Sequence, residues 1–192
     1  MSVQEQPKKG VYETQPERTG YQDQLKRAYR WLARLESKST YSTNDINNPL
    51  PLEDLEEYED FLYALFQNCW HVKDWILSDS SAPKTLKDAV RRVVEEGAID
   101  ALMLCADVAN GSKHVSGPKP RRDAKRGAKT IGEIEIEIGG DNAKTTYTYK
   151  VSDDSGNSYD AIAVARQALK EWEGIIAESV AAANTTPSSA QP

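Results

Sequence analysis

Cysteine and histidine are both scarce in this sequence, with two of each in 192 residues. Cys69 and Cys105 lie inside apolar helical patterns, so they read as buried thiols in a reducing compartment and not as a disulfide framework. There is no run of about 18 apolar residues, which leaves no expected membrane span. The opening stretch "MSVQEQPKKGVYETQPERTG" has no apolar core of the kind a secretory signal carries. Excess positive charge is missing too. The net charge is −6, which argues against a protein that coats nucleic acid over its whole surface, although it leaves room for a local basic patch. A cytoplasmic protein without a membrane partner is expected.

What is present is a helical pattern. Residues 1–18 and 179–192 are polar and Pro- or Ser-rich, with too little apolar surface to offset the entropy of ordering, and are expected to be disordered tails. Between them, residues 19–178 form a single expected domain. Thr19 and Gln22 fit a capping box, and Leu25, Ala28, Tyr29, Leu32 and Leu35 then recur at helical spacing. "ESKSTYSTNDINNPLP" reads as a linker. A second helix follows Pro51, with acids in its first turns and a core stripe of Leu55, Tyr58, Leu62, Leu65, Cys69, Val72 and Ile76. A third runs from about Thr85 to Glu96 and stops at Gly97, and a fourth starts near Ala98.

The period then changes from 3.6 to two. "IGEIEIEIGG" and "KTTYTYKV", joined by "GGDNA", read as a β-hairpin over residues 131–151. A last helix is expected from about Tyr159 to Glu178. The fold class is therefore mainly α: a helical bundle of about five helices, with a two-stranded antiparallel β-hairpin inserted before the last one. A lone hairpin is marginal in water, so it must dock on the helices.

Both histidines sit in polar insertions of apolar helices. In "FLYALFQNCWHVKDWI", Phe61, Ala64, Asn68, His71 and Trp75 form a second row beside the core stripe, and Asp74 is close enough to orient the His71 imidazole. In "CADVANGSKH" and the turn before it, Asp100, Asp107, Asn110 and His114 share one face if the helix continues through Asn110-Gly111. Two imidazoles of near-neutral pKa suit proton transfer across a phosphodiester, with Asn68 or Lys113 stabilising charge. Two imidazoles with a carboxylate also suit zinc or iron, but the spacing fits no named metal motif, and no cofactor is expected. A purely structural role for both histidines is the third reading.

The next stretch, "GPKPRRDAKRGAK", holds Lys119, Arg121, Arg122, Lys125, Arg126 and Lys129 against one acid, Asp123. Such a loop can clamp a phosphate backbone, or serve as a solvated connector paired with the acidic start of the second helix.

The stretches "FQNCWHVKDW" and "DVANGSKH", over residues 20–115, resemble helical-bundle proteins of prokaryotic and phage genomes and, through them, the HEPN superfamily. Many members of that superfamily are dimeric, metal-independent endoribonucleases with an Arg four to six residues before a catalytic His. His114 matches that histidine; the positions four to seven residues before it are Asn110, Ala109, Val108 and Asp107, so the arginine is missing. The resemblance implies a domain that engages RNA or a nucleotide at a cleft between the second and fourth helices. His71 and His114 would carry protons, Asn68 and Asn110 would orient them or the substrate, Asp74 and Asp107 would hold the imidazoles, and Lys113 with the 119–129 loop would grip phosphate. A reading of another class makes the protein a non-catalytic assembly module that dimerises through the second row of the second helix.

Overall fold

The computed structural model describes residues 20–38, 40–43, 52–97, 100–111, 128–139, 142–153 and 155–185. The described residues form five helices: α1 (Tyr21–Lys38), α2 (Leu52–Ser78), α3 (Lys84–Glu96), α4 (Asp100–Gly111) and α5 (Ala161–Thr185). The strands are β1 (Thr40–Thr43), β2 (Ala128–Gly139), β3 (Asn142–Asp153) and β4 (Ser158–Asp160). The chain is thus mostly helical, with an antiparallel β2–β3 hairpin before the last helix.

α2 is the central element and touches α1, α3, α4 and α5. Its core stripe is buried as the spacing predicts, with Leu62, Leu65, Cys69, Val72 and Ile76 fully inaccessible. Two buried side chains pin its middle. Trp172 of α5 donates its indole N–H to the Cys69 carbonyl at 3.0 Å. Gln24 of α1 donates to the Asn68 carbonyl at 2.8 Å and to the Asn68 amide oxygen at 3.1 Å. Each such donor would be costly to bury without its acceptor, so the two bonds specify how α1 and α5 seat on α2.

Thr19 of the expected capping box lies outside the described residues; the start of α1 is held from a distance. Its first N–H, from Tyr21, is bound by the Asp79 carboxylate at 3.1 Å, 58 residues away in the α2–α3 loop. This distant acid serves as a cap and is favoured at the positive end of the helix. Asp79 also accepts the Ser81 N–H at 2.8 Å and the Ser81 hydroxyl at 2.6 Å. Gly20, with φ +97°, precedes the helix. A Cβ there would stand 2.2 Å from the Asp79 Oδ2, so the close approach requires glycine. Gly97 ends α3 in the left-handed conformation, and its N–H bonds the Val93 carbonyl at 3.1 Å.

The hairpin register sets Ile134 opposite Tyr147 and Thr130 opposite Val151. Two short strands extend it along the far edge of β3. β1 pairs with residues 143–146 and β4 with residues 150–152. β1 lies in the stretch read as a linker; a four-residue strand carries little signal of its own and is defined by its partner. The sheet docks through Val151, fully buried, and Tyr149, whose ring stacks on Tyr58 of α2 at 5.2 Å. Asp153 is buried and closes the β3–β4 turn, accepting the N–H groups of Ser155 and Asn157 at 2.9 Å each. Asp160 then caps α5 through the Ala163 N–H at 2.6 Å.

α5 reaches Thr185, past the expected end near Glu178. The added turns are rich in alanine, the best helix former. Ser179 is buried, and its carbonyl receives the Thr85 hydroxyl at 3.0 Å, which ties the start of α3 to α5.

Candidate functional site

The second row of α2 faces α1. Phe61 meets Trp31 of α1, with ring centroids 5.4 Å apart. Asn68 is held by Gln24 of α1, and its own amide donates to the Ala64 carbonyl at 2.7 Å. The guanidinium of Arg27 lies over Trp75 at 5.5 Å from the ring centre. His71 belongs to the same row, three residues from Asn68 and four from Trp75, and is half-buried. Asp74 is exposed and paired with the neighbouring Lys73.

The flank of α2 that meets α4 is different in kind. Trp70 is buried against Ala106 and Ala109, and Cys69 meets Cys105. Burial pushes the Cys105 thiol well above its ordinary pKa, and the adjacent Cys69 thiol adds to this. These residues fill the α2–α4 contact with apolar groups. Asp107 is two positions from both Cys105 and Ala109, so it is turned about 160–200° from the side that meets α2. Asp107 and Asn110 are half-buried and Asp100 is exposed. The structure therefore brings Asn68 beside α1, with His71 in the same row of α2, and turns Asp107 away from the side of α4 that meets Cys69 and Trp70. Lys113, His114, Lys119, Arg121, Arg122, Lys125 and Arg126 lie outside the described residues, and Lys129 is the second residue of β2.

What the reading by buried stripes passed over is the outer face of α1. Arg27, Arg30, Arg34 and Lys38 follow one another at steps of three, four and four, which is a single row. Arg34 lies over Trp31 at 4.8 Å and Lys38 over Phe61 at 5.2 Å. Lys38 is also paired with Glu57 of α2. The signal was in the sequence: five cations in α1, counting Lys26, against Asp23 and Glu36.

At one end of this face is an open cavity of about 610 Å³, lined by Gly20, Asp74, Trp75, Ser78, Asp79, Ser80 and Ser81. Hydrogen bonds from Ser81 hold the Asp79 carboxyl below its usual range, outweighing partial burial, with help from the Tyr21 N–H and the Lys87 charge. On the other side of α1, burial and a hydrogen bond to Glu173 raise the Tyr29 phenol to about 12. Among the described residues no group of three or more His, Cys, Asp or Glu side chains could hold a metal ion, and no helix is long and apolar enough to cross a membrane.

No protein-family model, curated protein or solved structure matches the chain.

Proposed function

We propose that the protein engages RNA or a nucleotide on the α1 flank of α2. The observation that carries the proposal is the cationic row Arg27, Arg30, Arg34 and Lys38, set beside a half-buried aromatic row in a chain of net charge −6. Clustered cations supply the phosphate-neutralising part of nucleic-acid binding, and interleaved rings supply stacking. His71 belongs to this row of α2, four residues before Trp75. In the cleavage form of the proposal it transfers a proton together with His114, as the HEPN-like resemblance implies. The apolar filling of the α2–α4 contact favours binding over chemistry in that cleft.

The assembly-module reading needs an open apolar face. Among the described residues Tyr159, at 39% exposure, is the only exposed large apolar side chain, and it is remote in sequence from the α2 row. The aromatic row of α2 is half-buried and overlaid with cations. A charged polymer suits that surface better than a second copy of the chain.

The test is binding of a fluorescent RNA by anisotropy. Wild type is expected to bind, and the Arg27→Glu, Arg30→Glu, Arg34→Glu triple variant to lose at least about tenfold in affinity. Equal binding by a folded triple variant would refute the assignment of this face. For cleavage, the His71→Ala, His114→Ala double variant is the control; RNA degradation that persists unchanged in it excludes the histidines.

A further inference from the structure

Resting on the RNA reading above, we infer that the α1–α2 face is a track for a single strand, with two stacking stations that only a strand of about six or more nucleotides can occupy together. One station is the Trp31–Phe61 pair, with Arg34 over the Trp31 ring and Lys38 over the Phe61 ring. The other is Trp75 under Arg27.

The spacing follows from helix geometry. From Phe61 to Trp75 is 14 residues along α2, which at 1.5 Å per residue is roughly 21 Å. A stacked strand advances roughly 3.4 Å per phosphate, so about six nucleotides span the two stations. Arg30 of α1 and His71 of α2 fall between these positions along their helices, a cation and an imidazole for the connecting phosphates.

The face suits single strands for a chemical reason. In a duplex the bases are stacked on one another and their ring faces are not available to protein. Single-stranded bases can splay and lie on aromatic rings or on guanidinium planes. Both kinds of plane are present here, since Arg27 and Arg34 lie over indole rings. The stations are half-buried, so the bases would lie against the surface and not enter a deep pocket.

Carboxylates bound the track at both ends. Glu56, Glu57, Glu59 and Asp60 stand near the Phe61 end, and Asp23, Asp74 and Asp79 near the Trp75 end. Glu57 is paired with Lys38 and Asp74 with Lys73, and the remaining acids disfavour further phosphates at each end.

The experiment is a length series of tagged oligouridylates of three, six, nine and twelve nucleotides, with a twelve-base-pair uridine–adenosine duplex for comparison, measured by anisotropy on the full chain. The expected result is a step in affinity between the three- and nine-nucleotide strands. Twelve-nucleotide strands should bind about tenfold or more tighter than the duplex, and Trp75→Ala should remove the step. Arg27→Ala, which leaves the ring in place, is the second variant and is expected to shrink the step with no change in the thermal midpoint beyond a few degrees. Equal binding of duplex and single strand, or a smooth length dependence that neither variant alters, overturns the track and leaves RNA binding standing. No binding of any RNA overturns the functional reading itself.

Discussion

The two flanks of α2 are built from neighbouring residues and do opposite things. Cys69 and Trp70 turn toward α4 and are buried among alanines and a thiol. His71, one residue on, belongs to the row that turns toward α1, where cations of α1 lie over the Phe61 and Trp75 rings; the cation over Trp70, Lys73 at 4.9 Å, comes from α2 itself. A rotation of about 100° per residue is enough to send adjacent side chains to an apolar contact and to a charged face. Residue type alone does not separate the two flanks, because both are aromatic. The difference is made by the partner helix: α4 presents Cys105, Ala106 and Ala109, while α1 presents arginines.

This contrast can be broken most visibly on the buried flank. Trp70→Ala should cost about 3–5 kcal/mol in urea unfolding, because the cavity lies between two helices that cannot both move in. A loss below about 1 kcal/mol would mean that the α2–α4 contact is not filled as described. Trp31→Ala, on the half-buried flank, should cost clearly less.

The joint between α1 and the α2–α3 loop comes next. Gly20→Ala forces an L residue into φ +97° and drives a Cβ onto the Asp79 carboxylate. A loss of roughly 1–3 kcal/mol is expected. Asp79→Ala removes the same cap at about 1 kcal/mol. Because both changes break one bond, the double variant should be less destabilised than the sum, which thermal melts of all three proteins would reveal.

Two titrations sharpen the picture at smaller scale. The folded-state pKa of Asp79 is lowered, so its contribution is present above the unfolded carboxylate value and is lost as pH falls through the folded one. Below about pH 4 the wild type should lose stability more steeply than Asp79→Asn. Tyr29 behaves in the reverse sense. Its folded pKa is raised from 10.0 to about 12, so its contribution is complete below pH 10 and is lost between about pH 10 and 12. Tyr29→Phe should flatten the alkaline limb of the stability profile. The smallest stability effect belongs to the cationic face. Arg27→Ala with Arg34→Ala should change unfolding by no more than about 1–2 kcal/mol, since each removes a half-exposed cation–ring contact.

Much of the fold was legible in the sequence. The α2 stripe from Tyr58 to Ile76 and the alternation of Ile134, Ile136 and Ile138 are long periodic signals. Gly97 marked the end of α3 through the one conformation that needs it. β1 was not legible, because Thr40–Thr43 is only four polar residues and its strand character comes from pairing with β3. The α1 cap was not legible either, since it comes from Asp79 across 58 residues. The second row of α2 was legible as a surface, but not its partner. α1 was read for its buried stripe, and its outer row, Arg27, Arg30, Arg34 and Lys38, acquires meaning only once Trp31, Phe61 and Trp75 are seen beneath it. The histidine pair was legible as two polar insertions, of which His71 lies on this face and His114 outside the described residues.

The central claim is that nucleic acid is held on the α1 flank of α2. The most direct measurement is the salt dependence of RNA affinity for wild type and for the Arg27→Ala, Arg30→Ala, Arg34→Ala triple variant. Single strands contribute a slope of roughly −0.7 per neutralised phosphate, so removing three cations should reduce the slope by about two. An identical slope in the two proteins would contradict the account.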